Sequence, residues 1–182
     1  MACDHDPLAI LETERLVLRR QAGADVAFLV DLWSDPDVTR HLGGPRDRDW
    51  LKGVFEETAA DPFGEDLDLW TLAEKASGLP VGHCGLLPKE IDGHPEVEVN
   101  YILAPSAWGK GFAIEIAAAL CQYAAKALGL SRLVALIAPE NVASEQVARR
   151  IGMRLEQETV RPGGTTRRVY AIDLGEGPWT SS

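Results

Sequence analysis

The sequence has little of what builds disulfide-stapled, metal-bound or membrane-spanning proteins. It contains three cysteines in 182 residues, and an odd number of widely spaced cysteines predicts no disulfide framework and fits a reducing compartment. The cysteines and the four histidines show no metal-ligand spacing. No apolar run is long enough to cross a bilayer, and the first residues carry no secretory apolar region. We therefore expect a soluble, cytoplasmic protein with no metal and no membrane partner.

Positive charge is also scarce. The chain has 18 Lys and Arg against 28 Asp and Glu, a formal net charge of −10. Repulsion of phosphates argues against non-specific binding to nucleic acid or to an anionic membrane, and mildly favours a cationic substrate. Hydrophobic residues make up 46% of the chain, which is a globular composition of ordinary single-domain length.

The hydrophobic pattern predicts a mixed α/β single domain with the order β-α-α-βββ-α-β-α-ββ. The predicted strands are residues 15–20, 67–73, 80–87, 96–103, 132–138, 154–158 and 169–174. The first helices are predicted near residues 25–33 and 49–60. A long helix is expected after residue 112, and a short one between Asn141 and Gly152. Residues 1–11 and 175–182 are predicted tails on either side of a domain spanning 12–174.

The most informative segment is the turn from Trp108 to Ala113, between a predicted strand and the long helix. The first amides of a helix have no internal partner and the helix dipole favours negative charge, so this position suits a phosphate or pyrophosphate. Gly109 and Gly111 lack a Cβ and would let a ligand approach the backbone. The spacing fits neither a P-loop nor the dinucleotide fingerprint. A tight turn that needs small residues for structure alone is the alternative.

Four segments, which follow one another along the chain in the family's order, resemble the GNAT superfamily of acyl-CoA-dependent N-acetyltransferases. The turn Trp-Gly-Lys-Gly-Phe-Ala is similar to the family's pyrophosphate loop, with Trp108 where Arg or Gln is usual. Pro-Glu-Asn-Val-Ala-Ser at residues 139–144 resembles the Asn-containing segment after the fifth strand. Ile-Gly-Met at residues 151–153 resembles the Leu-Gly-Phe that closes the next helix. Glu-Thr-Glu-Arg-Leu-Val-Leu-Arg at residues 12–19 resembles the ribosomal-protein N-terminal (alanine/serine) acetyltransferase branch.

The resemblance implies a sheet of about seven strands, flanked by helices and splayed between its fourth and fifth strands. Acetyl-CoA would be the acyl donor, with its pantetheine arm in the gap and its pyrophosphate on the turn. One amide at the end of the fourth strand would polarise the thioester carbonyl. For Asn141, a plain N-cap is the alternative to a ligand contact. The implied cofactor-binding residues are Ile102, Leu103, Ala104, Trp108, Gly109, Lys110, Gly111, Phe112, Ala113, Asn141 and Ser144.

The implied reaction is direct transfer of an acetyl group to a primary amine, either a protein N-terminal α-amine or a small-molecule amine. The amine must be neutral to attack, and Glu98 is the candidate base, acting through a water. Because the rest of the strand is apolar, we expect the pKa of Glu98 to be raised. The alternative is that Glu98 faces solvent and has only a structural role. Relatives carry a Tyr acid where this chain has Ala148, so Ser144 is the candidate proton donor, unless the thiolate leaves unassisted.

A rival function is an acyl-CoA-binding sensor or regulatory module that has lost catalysis. The missing Tyr at Ala148 favours this rival slightly, and Glu98 favours the enzyme. The sequence leaves open the amine acceptor, the length of the acyl chain and the oligomeric state, a homodimer included.

Overall fold

The computed structural model describes residues 8–64 and 66–175. The helices are α1 Val26–Ser34, α2 Pro36–Thr39, α3 Arg48–Ala60, α4 Phe112–Lys126 and α5 Val142–Arg150. The strands are β1 Ala9–Glu12, β2 Leu16–Arg19, β3 Leu69–Glu74, β4 Pro80–Ile91, β5 His94–Leu103, β6 Arg132–Ile137, β7 Arg154–Val160 and β8 Thr166–Asp173. They pair in the order β1-β2-β3-β4-β5-β6-β8-β7. The predicted mixed α/β sheet is confirmed.

The described part of the sheet has eight strands, one more than the sequence predicted. The additional strand is β1, which overlaps the stretch predicted as an N-terminal tail. It pairs antiparallel with β2, and Glu12 lies opposite Val17. Ala-Ile-Leu-Glu is too short to show strand alternation, which is why the pattern missed it. Residues 1–7 and 176–182 of the two predicted tails lie outside the described residues. The predicted fourth and fifth strands are β5 and β6.

The chain divides into two compact units, and the first comprises the described residues up to Cys84 together with Ile102–Phe112. Its core joins apolar side chains of α1 and α3, spaced at helical intervals, to the end of β5. Burying each large aliphatic or aromatic side chain contributes about 1.5–3 kcal/mol. The buried members are Leu29, Val30, Leu32, Leu51, Phe55, Ile102 and Ala104.

The second unit comprises Gly85–Tyr101 and the described residues from Ala113 onward. Here α4 has a completely buried stripe of residues that recur every three or four positions. The helix ends before Gly129, whose φ of +65° favours glycine. Strand β6 pairs antiparallel with β8, and β8 pairs with β7. The buried stripe of α4 is Ile116, Ala117, Leu120, Cys121 and Ala124.

Candidate active site

The turn before α4 has the backbone shape that its glycines predicted. Gly109 has φ +73° and Gly111 has φ +80°, a region that side-chain-bearing residues rarely adopt. The helix begins at Phe112, so the amides of its first residues have no partner within the helix. Trp108 precedes the glycines and is half exposed. Two glycines in the left-handed region therefore lead the chain directly into a helix N-terminus.

The last residues of β5 differ in where their backbone groups point. The amide of Ala104 donates to Val81 O on β4 at 2.9 Å, and its carbonyl accepts from Ala107 N at 2.9 Å. Both backbone groups of Ala104 therefore already have partners within the protein, and its contact with the pantetheine arm stays a prediction. In a strand the amide and carbonyl of one residue point to one neighbouring strand, and those of the next residue point to the opposite side. Leu103 therefore presents its amide and carbonyl away from β4. Its carbonyl accepts from Trp108 Nε1 at 2.9 Å.

Strand β4 comes unusually close to this end of β5. A Cβ placed on Gly82 would lie 2.6 Å from Ile102 O and 2.7 Å from a side-chain carbon of Leu103. Only glycine fits such an approach. The backbone groups of Ile102 face β4 as those of Ala104 do, since the two residues are two positions apart. Of the three strand residues predicted to bind pantetheine, Leu103 is the one whose orientation suits the role.

Glu98 lies on β5 in the second unit and is 8% exposed. The alternative of a solvent-facing Glu98 is therefore wrong. Its Oε2 lies 3.7 Å from the Lys89 ammonium, and its Oε1 accepts from Leu136 N on β6 at 3.2 Å. Burial raises the pKa of Glu98 above its ordinary value, and the Lys89 charge and the hydrogen bonds oppose only part of that rise. The carboxyl is thus a buried proton acceptor whose pKa is shifted toward neutrality.

The bond to Leu136 also shows how β5 and β6 pair. The strands run parallel with Glu98 opposite Val134. In a continued parallel ladder the next outward amide of β6 would donate to a β5 carbonyl, but Leu136 N donates to the Glu98 side chain instead. At this point β6 is therefore bonded to a side chain of β5 in place of its backbone. The neighbouring acid, Glu96, forms an ion pair with Arg132, in which Arg132 Nε lies 3.1 Å from Glu96 Oε1.

The first turn of α5 contains the two polar residues predicted to meet the cofactor. Asn141 Oδ1 accepts from Ser144 N at 3.1 Å, so the N-cap is confirmed, and the ligand contact stays a prediction. The Tyr101 hydroxyl donates to Ser144 O at 3.1 Å, and burial raises the pKa of Tyr101. Ala148 is completely buried in α5. The position at which the resemblance implies a Tyr acid is therefore part of the core here.

A buried histidine in the first unit was not singled out by the sequence. His83 on β4 is 5% exposed, and its Nδ1 accepts from Trp33 Nε1 at 3.0 Å. The proton of the neutral ring is thereby assigned to Nε2, which has no hydrogen-bond partner of good geometry among the described residues. Burial lowers the pKa of His83 to about 4, although the Leu69 backbone and Asp25 favour the protonated form. The ring is neutral at pH 7.

A groove of about 790 Å³ lies elsewhere in the second unit, between α4, the end of α5 and strands β7 and β8. Its lining includes Ile114, Ala118 and Arg150 and contains none of the residues predicted to bind the cofactor or to act in catalysis. In residues 8–64 and 66–175, no cluster of three or more His, Cys, Asp or Glu side chains could hold a metal ion. No helix in those ranges is long and apolar enough to span a membrane.

Comparison with known proteins identifies the family. Residues 15–154 match the family profile described as Acetyltransferase (GNAT) domain. The chain belongs to this family, and it is an N-acetyltransferase. It is 32% identical over 161 residues to the uncharacterized protein YkkB of Bacillus subtilis, covering 88% of this chain and 93% of that one. It is 29% identical over 178 residues to the uncharacterized N-acetyltransferase p20 of Bacillus licheniformis, covering 90% and 94%.

Solved structures show the same fold. An acetyltransferase from Agrobacterium tumefaciens is 28% identical, with a TM-score of 0.75 over 94% of this chain and 98% of that one. A spermidine N-acetyltransferase from Vibrio cholerae, solved with CoA and spermine, has a TM-score of 0.72 at 20% identity, covering 89% of this chain and 97% of that one. The resemblance to the ribosomal-protein branch stays a prediction.

Replacing Gly111 by Ala is expected to raise the Kd for CoA about tenfold, the effect of losing one hydrogen bond to a charged group. A Cβ at φ +80° strains the turn and moves its amides. Isothermal calorimetry measures the change. The matched control is Gly129→Ala, which introduces the same left-handed strain after α4, where a Cβ would meet nothing within 4 Å. Equal CoA affinities in the two variants would contradict a ligand role for Gly111.

Proposed function

We propose that the protein transfers an acetyl group from acetyl-CoA directly to a primary amine whose molecule carries further positive charge. The observation that carries the proposal is the buried carboxyl of Glu98. A buried carboxyl whose partners favour the ionised form strongly enough has a lowered pKa, as Asp25 has. The pKa of Glu98 is raised instead. A base with a pKa moved toward the working pH is what amine deprotonation needs.

The proposed steps use groups of this chain in named roles. Glu98 accepts a proton from the substrate ammonium through a water, and the neutral nitrogen attacks the thioester carbonyl carbon. The Leu103 amide, which points away from β4, donates to the developing oxyanion. The attacking nitrogen then loses its second proton to water, the carbon–sulfur bond breaks to give the amide product, and the CoA thiolate takes a proton from a water bound by Ser144. The amides of Gly109 to Ala113 hold the pyrophosphate at the start of α4.

Charge supports a cationic acceptor. The chain carries a net charge of −10, which raises encounter rates with cations and lowers them with anions. The Vibrio cholerae relative in fold was solved with spermine, and a polyamine is one acceptor of this chemistry. The likeness of residues 12–19 to the ribosomal-protein branch supports the other, the α-amine of a basic peptide. Both are primary amines that carry further positive charge.

The test is release of free thiol from acetyl-CoA with matched acceptors at low and high ionic strength. Spermidine and a Lys-rich peptide with a free N-terminus are expected to react faster than a Glu-rich peptide, and added salt is expected to shrink the difference. Equal rates, or a preference for the acidic peptide, would contradict the proposal that the acceptor is cationic. Binding of CoA without thiol release from any amine in the panel would favour the sensor module instead.

A further inference from the structure

The opening motif at residues 12–19 has a structural role that the site described above does not use. Thr13 and Leu16 close a tight turn, in which Leu16 N donates to Thr13 Oγ1 at 3.0 Å and Thr13 N donates to Leu16 O at 2.9 Å. Lys75 then fixes the turn from β3's end, with its amide donating to Arg15 O at 2.8 Å and its Nζ donating to Thr13 O at 2.7 Å. The backbone of Arg15 is therefore held on both sides.

From this position the Arg15 side chain reaches the glycine turn, 95 residues further along the chain. Its Nη1 donates to Lys110 O at 2.9 Å, and its Cζ lies 4.7 Å from the centre of the Phe112 ring. Its Nη2 lies 3.6 Å from the place where a Cβ of Gly111 would be. One guanidinium thus contacts Lys110 and Phe112 and lies beside Gly111, which separates them in the turn. All of these residues belong to the first unit.

We propose that Arg15 is a positioning residue for the acetyl-CoA pyrophosphate, holding the glycine turn in its anion-binding form and placing a positive charge beside it. The inference rests on the proposed function, in which the turn holds the pyrophosphate. A peptide unit is planar and trans, so Lys110 C=O and Gly111 N–H point in opposite directions. Anchoring the carbonyl on Arg15 therefore fixes the direction of the Gly111 amide. Without that anchor, rotation of this peptide unit would withdraw a donor from the ligand.

Arginine suits this role better than lysine. A planar guanidinium can donate along its edge to the Lys110 carbonyl while its face stacks on Phe112. An ammonium is a compact charge and can satisfy one of these contacts at a time. The charge itself also matters, because the chain has a net charge of −10 and a pyrophosphate would otherwise approach a negative molecule.

The experiment compares Arg15→Gln and Arg15→Lys with the wild type, using two acyl donors. Acetyl-CoA contains the pyrophosphate, whereas S-acetylpantetheine lacks it. With Arg15→Gln, the KM for acetyl-CoA and the Kd for CoA are expected to rise about 10- to 100-fold, the effect of losing a charged hydrogen bond. The kcat with acetyl-CoA and the kcat/KM with S-acetylpantetheine are expected to stay at their wild-type values. Arg15→Lys is expected to fall between.

The control is Arg48→Gln, which removes the same charge from an exposed arginine bonded to Asp31 and Ser34. It is expected to leave both donors unaffected. If Arg15→Gln binds CoA as the wild type does, or weakens both donors equally with a lowered Tm, the inference is overturned and Arg15 only stabilises the fold. If Arg15→Gln does not fold, the two acyl donors are compared with Arg15→Lys instead. Weakened use of acetyl-CoA alone would then support the inference, and equal weakening of both donors or none would overturn it. Wild-type protein that binds no CoA would instead contradict the proposed function.

Discussion

Replacing Glu98 by Gln is expected to lower kcat/KM for the amine by about 100- to 10,000-fold, the usual contribution of a positioned general base. The loss should be greatest at low pH, where neutral amine is scarcest. Burial raises the pKa of Glu98. The acid limb of the wild-type pH–rate profile, over which Glu98 loses its proton and the rate rises, should therefore lie above the ordinary titration range of glutamate. In the variant that limb should be absent, and only the titration of the amine should remain. Rates from pH 5 to pH 9 measure this.

The control for this prediction is Glu96→Gln, two residues earlier on the same face of β5. Glu96 is bonded to Arg132, so this variant loses an ion pair yet should keep the acid limb. Glutamine at position 98 can still accept from Leu136 N, so the fold should survive and a rate change can be assigned to chemistry. A Glu98→Gln enzyme with wild-type rates across the range would make Glu98 structural, and the amine would then bind already deprotonated.

The sequence predicted those parts of the site that depend on local backbone. Gly109 and Gly111 must occupy left-handed conformations, and Asn141 must satisfy the amide of Ser144 at a helix start. Each of these features depends only on residues a few positions apart, so a short sequence motif is enough to predict it. The strand pattern likewise placed Glu98 on β5 near β6, because alternation and order along the chain determine strand identity.

The contacts that the sequence missed join residues far apart in the chain. Arg15 reaches Lys110 across 95 positions, and Trp33 reaches His83 across 50. No spacing rule links such pairs, since they meet only when the sheet and helices have assembled. The hydrogen bonds of Ala104 were missed for a related reason. Its orientation depends on which of its backbone groups β4 already occupies, and that is set by pairing register rather than by residue type.

The stability of the protein is expected to fall in mild acid because of His83. The ring is buried and neutral, with its pKa lowered to about 4 from an ordinary 6.5. Between these two values the unfolded chain binds a proton that the folded chain does not. The stabilisation is therefore fully present above pH 6.5 and is lost as the pH falls toward 4. A shift of this size corresponds to about 3 kcal/mol of unfolding free energy.

The variant that tests this is His83→Gln, whose amide oxygen can accept the Trp33 indole proton but does not titrate. Urea unfolding at several pH values from 4 to 7.5 should show a smaller loss of stability for the variant than for the wild type. His94→Gln removes an exposed histidine and is expected to leave the wild-type dependence intact.

Acidic residues also make the unfolding free energy depend on pH, both in the wild type and in His83→Gln. The partners of Asp25 lower its pKa despite its burial, so its stabilisation is lost only near and below its ordinary titration range. The raised pKa of Glu98 gives a slope of opposite sign, since its protonated form is favoured in the folded state. Both terms cancel when the wild type is compared with His83→Gln at each pH. A difference between the two proteins that stays constant from pH 4 to pH 7.5 would mean that the buried ring does not titrate on unfolding, and the acid sensitivity would have to come from the carboxylates.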